Sequence, residues 1–156
     1  MKTRFIAITG VKKAGKTTTI EYLIPKIIAK GYKVGVAKIA YKPVSIDVNQ
    51  EHYDVIRLRK AKPTKTLFKS KIETTIFFED ELTLRQALSE FGKGLDIVLL
   101  EGFPDDFIGF PQIAILKDNT EINDVKNEFT VALSSIPEFS LKITDPLFIE
   151  FSTLDT

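Results

Sequence analysis

The segment Gly10-Val11-Lys12-Lys13-Ala14-Gly15-Lys16-Thr17-Thr18 follows the spacing G-x-x-x-x-G-K-[S/T] and stands between two stretches of different periodicity. Before it, Phe5-Ile6-Ala7-Ile8 is a continuous apolar run, as expected of a strand covered on both faces. After it, Ile20, Leu23, Ile24, Ile27 and Ile28 recur at a spacing that gathers them on one side of a helix, with Gly31 as its carboxyl-terminal stop. Pro25 interrupts that helix and is expected to bend it. A strand, a glycine-bearing turn and a helix in this order form the context in which the spacing makes a phosphate-binding loop. The glycines let successive backbone N–H groups and the helix's positive end face a di- or triphosphate.

The rest of the chain continues the alternation. Val34-Gly35-Val36-Ala37 reads as a second buried strand, and Tyr41-Lys42-Pro43-Val44 as the loop leaving it. Residues 53–61 predict a short basic helix and 64–70 and 73–78 two strands. Residues 81–91 predict a helix that turns Leu82, Leu84, Ala87, Leu88 and Phe91 inward. Asp96-Ile97-Val98-Leu99-Leu100 is the clearest buried strand, and it runs straight into Glu101-Gly102. Residues 112–116 and 129–133 add two more, and the segment from Asp145 onward reads either as an edge strand or as one helical turn. The expected fold is α/β: a three-layer P-loop NTPase fold, with a mainly parallel sheet and helices on both faces. Ligands of such sheets bind at the carboxyl ends of the strands.

Composition narrows the chemistry. With 156 residues, 44% of them hydrophobic, the chain suits one core, and residues 1–156 are expected to form a single nucleotide-binding domain. Twenty-two Lys and Arg against 21 Asp and Glu leave no global attraction to nucleic acid or to an anionic membrane, so anion binding must be local. The absence of cysteine excludes thiolate metal sites and cysteine nucleophiles, and the lone His52 excludes a histidine cluster. The basic and then apolar opening, Met1 to Ile8, is far too short for a signal-peptide core or a membrane span. A cytoplasmic protein is expected.

In the loop, Lys16 is expected to reach the terminal phosphates and the Thr17 hydroxyl to ligate Mg²⁺. Lys12 and Lys13 either add charge to the phosphate site or are solvated lysines. Glu101, emerging at the carboxyl end of the strongest strand, is placed to ligate Mg²⁺ or to orient a water. A second carboxylate is sought after the second strand, from Asp47 or Asp54, each of which reads equally as a solvated loop residue. Arg59 and Lys60, with Arg57, make a basic run for a phosphate-bearing partner or a solvated helix face. The loop 103–111 carries three phenylalanines, for a partner or dimer contact or for folding back on its own core.

Together these segments resemble the molybdopterin-guanine dinucleotide biosynthesis protein B family from Phe5 to about Ile136. The resemblance is carried by "GVKKAGKTT" followed by Leu23-Ile24-Pro25, by Lys38 closing the second strand, and by Ile46-Asp47, Asp54 and Arg59-Lys60-Ala61 in order. "DIVLLEGF" at 96–103, "QIAILKDN" and "TVALSS" complete it. The resemblance implies a small homodimeric GTP-binding adapter, at most a slow Mg²⁺-dependent GTPase. It would support a partner nucleotidyltransferase that attaches a nucleotide to molybdopterin. It also implies catalytic roles for Lys16, Glu101 and Asp54, metal ligation by Thr17, Glu101 and Asp47, and phosphate or partner contacts by Lys38, Arg59 and Lys60. Where that family often carries an acidic residue after its last strand, Ser134-Ser135-Ile136 stands here, so the base is open between GTP and ATP. The competing reading is an ATP-dependent small-molecule ligase or kinase of the class that dethiobiotin synthetase represents, which Tyr41-Lys42-Pro43-Val44 and Glu101-Gly102 resemble.

Overall fold

The computed structural model describes residues 2–39 and 53–150, apart from the side chain of Tyr53. In chain order the elements are β1 (Arg4–Thr9), α1 (Lys16–Ala29), β2 (Val34–Lys38), α2 (Tyr53–Lys60), β3 (Lys65–Lys69), β4 (Thr74–Phe78), α3 (Leu84–Phe91), β5 (Ile97–Glu101), β6 (Gln112–Ile115), α4 (Ile122–Val125) and β7 (Thr130–Ser134). Of these residues, 2–39 and 92–150 make one compact unit and 53–91 a second.

The first unit is a five-stranded sheet in the order β2-β5-β1-β6-β7, with every neighbouring pair parallel. Side chains alternate between its faces, as the pleat requires. Ile8, Leu99 and Ile115 pack on one face with Ile20 of α1, and Leu23, Ile24 and Ile27 extend that contact. Ala114, Leu116 and Leu133 look the other way, onto Val125 and Ile122 of α4 and onto Leu141, Ile143, Leu147 and Phe148. Both faces are thus covered, which is why β5 and β6 read as unbroken apolar runs rather than alternating ones. The arrangement is a mainly parallel α/β sheet of the P-loop type, as expected.

Local departures have simple causes. Ile28 is 56% exposed although it shares the helical pattern, because eight residues of α1 carry it about 80° around the axis from Ile20. Helix α1 continues through Pro25, which has no N–H for an internal hydrogen bond, and ends with Gly31 at φ +85°. The loop 103–111 folds back: Phe107 is fully buried, its ring edge-on to Phe110, which in turn meets Phe5. The buried Gln112 amide donates to the Pro104 and Phe107 carbonyls, pinning that loop to the start of β6. The last described segment is extended, pairing with the outer side of β7 through Leu133 N–H to the Leu147 carbonyl and Ile149 N–H to the Leu133 carbonyl.

In the second unit β3 and β4 pair antiparallel, from Lys65 opposite Phe78 to Lys69 opposite Thr74, and form a sheet of their own. Ser70 closes the turn by accepting the Ile72 and Glu73 N–H groups. Helix α3 starts three residues later than its sequence pattern suggests because Thr83 caps it: Gln86 N–H bonds the Thr83 hydroxyl while the Gln86 side chain accepts Thr83 N–H. Leu88 is buried on α3, whereas Phe91, at its final position, is 45% exposed.

Candidate functional site

Parallel pairing aligns the carboxyl ends of three strands. Ile8 of β1 lies opposite Glu101 of β5, and Glu101 lies opposite Lys38 of β2. The loop 10–15, leaving β1, therefore opens beside Glu101 and one strand from Lys38. Gly10 at φ +138° and Gly15 at φ +95° give the loop its turns, with Lys13 at φ +64° between them. A side chain at Gly10 would lie 2.3 Å from the Ile115 carbonyl oxygen, and one at Gly15 would lie 2.7 Å from the Ile136 side chain. Both positions thus need glycine for space as well as for conformation.

The result is a cleft of about 500 Å³, within the size range of small-molecule sites. Its walls include loop residues 12–15 with the first turn of α1, Lys38, Glu101, Phe103 and Ile136. Within it Lys16, Lys38 and Glu101 are already engaged. Lys16 Nζ donates to the Gly10 and Val11 carbonyls at 2.9 and 2.7 Å, so the ammonium is folded onto its own loop, 5.4 Å from the Phe103 ring centre. Burial lowers the Lys16 pKa below its ordinary 10.5; the Glu101 carboxylate opposes that shift and the Lys38 ammonium adds to it. The Glu101 side chain is only 10% exposed, and both of its oxygens are used. Oε2 accepts the Thr17 hydroxyl at 3.0 Å and Oε1 accepts Lys38 Nζ at 2.9 Å. A carboxylate so enclosed must be paired, because desolvating it alone costs several kcal/mol.

Gly102 completes the turn out of β5. A Cβ there would lie 2.6 Å from the Asp106 carboxylate, and that carboxylate caps the short 3₁₀ turn Pro104–Phe107 by accepting Phe103 N–H at 2.7 Å. "EGF" is therefore a shape requirement as well as a source of charge.

The cleft brings together the expected residues Lys12 to Thr18 with Lys38 and Glu101, while Gly10 and Val11 do not line it. Lys12 and Lys13 are exposed at its rim, and Val11 and Ala14 turn toward the core. Asp54, Arg59 and Lys60 belong to the second unit. Asp54 is exposed with Arg57 3.9 Å away, Arg59 pairs with Glu79 at 2.7 Å over the Phe77 ring, and Lys60 is exposed. Asp47 and His52 lie outside the described residues. Ser134 and Ser135 are buried, and the Ser134 hydroxyl donates to the Ile149 carbonyl at 2.7 Å, which turns it away from ligand duty. Of the segment 134–136 tied to the base, Ile136 lines the cleft, whereas sequence reasoning missed Phe103, Glu138 and Phe139 as cleft residues. The one available signal was Pro137, which starts the 3₁₀ turn Pro137–Phe139 directly after β7.

Among the described residues no group of three acidic or histidine side chains gathers around a metal position, and no helix is long and apolar enough to cross a membrane. The oxygens that suit a hard cation are the Thr17 hydroxyl and the Glu101 carboxylate. That pair fits Mg²⁺, which is commonly held by one or two protein oxygens with phosphates and waters completing its octahedron.

Residues 5–135 match the family described as molybdopterin guanine dinucleotide synthesis protein B. The molybdopterin-guanine dinucleotide biosynthesis adapter protein of Haemophilus influenzae is 30% identical over 155 residues, covering 96% of this chain and 80% of that protein. Its namesake in Escherichia coli is 30% identical over 118 residues, covering 72% of this chain and 65% of that protein. A putative adapter protein of Methanocaldococcus jannaschii is 29% identical over 147 residues; the match covers 92% of this chain and 59% of the length of that relative. In fold, the crystal structure of Bacillus subtilis MobB matches with a TM-score of 0.72 at 18% identity, over 96% of this chain and 90% of that one.

Proposed function

The chain belongs to the molybdopterin guanine dinucleotide synthesis protein B family, and from that premise we propose that it is a Mg²⁺-dependent GTP-binding adapter with slow GTP hydrolysis. It would support, as a cytoplasmic homodimer, a nucleotidyltransferase that builds molybdopterin guanine dinucleotide. The observation that carries the nucleotide reading is the state of Lys16, an ammonium held by two carbonyls of its own loop in a cleft that also contains a paired carboxylate. Phosphate oxygens offer that ammonium stronger, charge-assisted partners than the carbonyls do.

The chain's own groups divide the work. Backbone N–H groups of residues 10–16 and the amino end of α1 receive the β- and γ-phosphates. Lys16 swings from its carbonyls to the terminal phosphates. The Thr17 hydroxyl and Glu101 would hold Mg²⁺, which would supply neutralisation of phosphate charge. Phe103, with its ring centre 5.4 Å from the Lys16 ammonium, offers that cation an aromatic face. Asp47 and Asp54 remain candidates for the second carboxylate, and Arg59 and Lys60 for contacts to a partner. Glu138 is the cleft's other acidic side chain and offers a carboxylate to the guanine N1–H and N2–H groups, while Phe139 and Ile136 offer apolar surface to the base.

A comparison of GTP and ATP as ligands and substrates tests the reading. The adapter reading predicts tighter binding of GTP and turnover that is slow and independent of any small acceptor. It also predicts faster molybdopterin guanine dinucleotide formation when the chain is added to the nucleotidyltransferase. A preference for ATP with acceptor-dependent turnover would instead place the chain with the small-molecule ligases or kinases.

A further inference from the structure

We propose that Lys38 is the cation that holds Glu101 while the cleft contains no metal, so that Mg²⁺ must displace the Lys38 ammonium in order to bind. The inference rests on the reading of the cleft as a Mg²⁺-nucleotide site and adds an internal competitor to it.

The geometry carries three parts of the argument. Lys38 and Glu101 are direct register partners at the last positions of two adjacent parallel strands, so their side chains leave the sheet together. The two Glu101 oxygens are divided between Thr17 and Lys38, at 3.0 and 2.9 Å, and Thr17 is the side chain that a metal here would share with Glu101. Lys16 is occupied by the Gly10 and Val11 carbonyls and donates to neither of these oxygens, and Lys12 and Lys13 are exposed at the rim of the cleft. Lys38 is therefore the cation in hydrogen-bonding contact with the carboxylate.

The pair is also asymmetric. The Lys38 side chain is 68% exposed and the Glu101 side chain 10% exposed. The ammonium can leave for solvent with little change in its hydration, whereas the carboxylate cannot remain without a cation. Exchange therefore proceeds from the lysine side: a dication arriving with the nucleotide takes the Glu101 oxygen, and Lys38 swings out on its four-carbon stem. Until then the site is neutralised from within, which makes the carboxylate a poor ligand for free Mg²⁺. Lys38 is in this sense a positioning residue, acting through Glu101.

The test compares wild type, Lys38→Met, which keeps an unbranched chain and removes the charge, and Lys38→Arg, which keeps the charge. GTP binding is followed across a Mg²⁺ series. The expected result is a Mg²⁺ midpoint lowered about three- to tenfold in Lys38→Met, the scale of one partly exposed ion pair, and near the wild-type value in Lys38→Arg. A residue that only packs would alter stability or the affinity at saturating Mg²⁺ and leave the midpoint in place. An unchanged or raised midpoint in Lys38→Met overturns the proposal. A second readout needs no nucleotide. In EDTA, Lys38→Met should lower the melting temperature by about 2–4 °C in the wild-type background and by clearly less in the Glu101→Gln background. Equal shifts in the two backgrounds would also overturn the proposal. Intact coupling in EDTA without any GTP binding by wild type would instead locate the failure in the nucleotide reading, and the displacement step would fall with it.

Discussion

Replacing Gly10 with alanine perturbs the phosphate-binding loop by two separable amounts. The first is conformational: φ at Gly10 is +138°, and an L residue held at positive φ costs about 1–2 kcal/mol or somewhat more. The second is steric. The added Cβ would lie 2.3 Å from the Ile115 carbonyl oxygen, a backbone atom at the end of β6 that cannot rotate away. Relief requires the loop or the strand end to move, which for overpacked sites costs about 1–3 kcal/mol. Against this, alanine restricts the unfolded chain and returns about 0.4–1 kcal/mol. The net loss is about 2–4 kcal/mol, a large part of the 5–15 kcal/mol typical of a folded domain. For a chain of 156 residues it should lower the melting temperature by about 4–16 °C. Gly31→Ala is the internal control, because Gly31 also has positive φ, +85°, but has nothing within 4 Å of the added Cβ. Thermal and urea unfolding of both variants, followed by circular dichroism, should show Gly10→Ala the less stable by the steric part alone, about 1–3 kcal/mol. If Gly10→Ala were no less stable than Gly31→Ala, the close packing of the loop on β6 would be refuted.

Other consequences concern the charges of the cleft. Glu101→Gln should reduce Mg²⁺-dependent hydrolysis by tenfold or more, roughly the loss of one charge-assisted contact, while weakening GTP binding less; equal losses measured by phosphate release and calorimetry would count against its role at the metal. Lys16 should also couple binding to pH. Burial depresses its pKa in the empty cleft, and adjacent phosphate charge favours the protonated form and raises it again. At alkaline pH approaching the ordinary lysine value, GTP binding should therefore take up protons, and this uptake should fall as the pH is lowered. Calorimetry in buffers of different ionisation enthalpy measures the uptake; an uptake that does not grow with pH would refute the coupling.

The parts of the site legible in the sequence are those held by consecutive residues. Strand, loop and helix from Arg4 to Ala29 follow from one spacing and its flanks, and Glu101 follows from the apolar run that delivers it to the edge of the sheet. The partners of Glu101 are different in kind. Lys38 and Thr17 meet it because β2, β5 and β1 lie side by side, and strand order is a property of the sheet that no single strand's composition encodes. Ile136 and Phe139 reach the cleft from the loop after β7 and carry no motif, and Phe103 ends a motif that does not say its ring meets Lys16. The β3–β4 hairpin shows the same limit: its strands are visible as apolar and β-branched runs, yet their antiparallel pairing as a sheet of their own is not. In the loop 103–111, composition left partner contact and self-burial open; the amide of Gln112 and the fit of Phe107 bury the middle of the loop, while Phe103 and Ile108 stay exposed.

The central claim is that the cleft binds a nucleotide triphosphate through Lys16 with Mg²⁺ at Thr17 and Glu101. Calorimetric titration of wild type and Lys16→Ala with GTP, each with Mg²⁺ and with EDTA, tests it most directly. The account predicts binding by wild type that Mg²⁺ strengthens, and loss of high-affinity binding in a folded Lys16→Ala protein. Equal affinity for GTP in the two proteins, or binding by wild type that is indifferent to Mg²⁺, would contradict it.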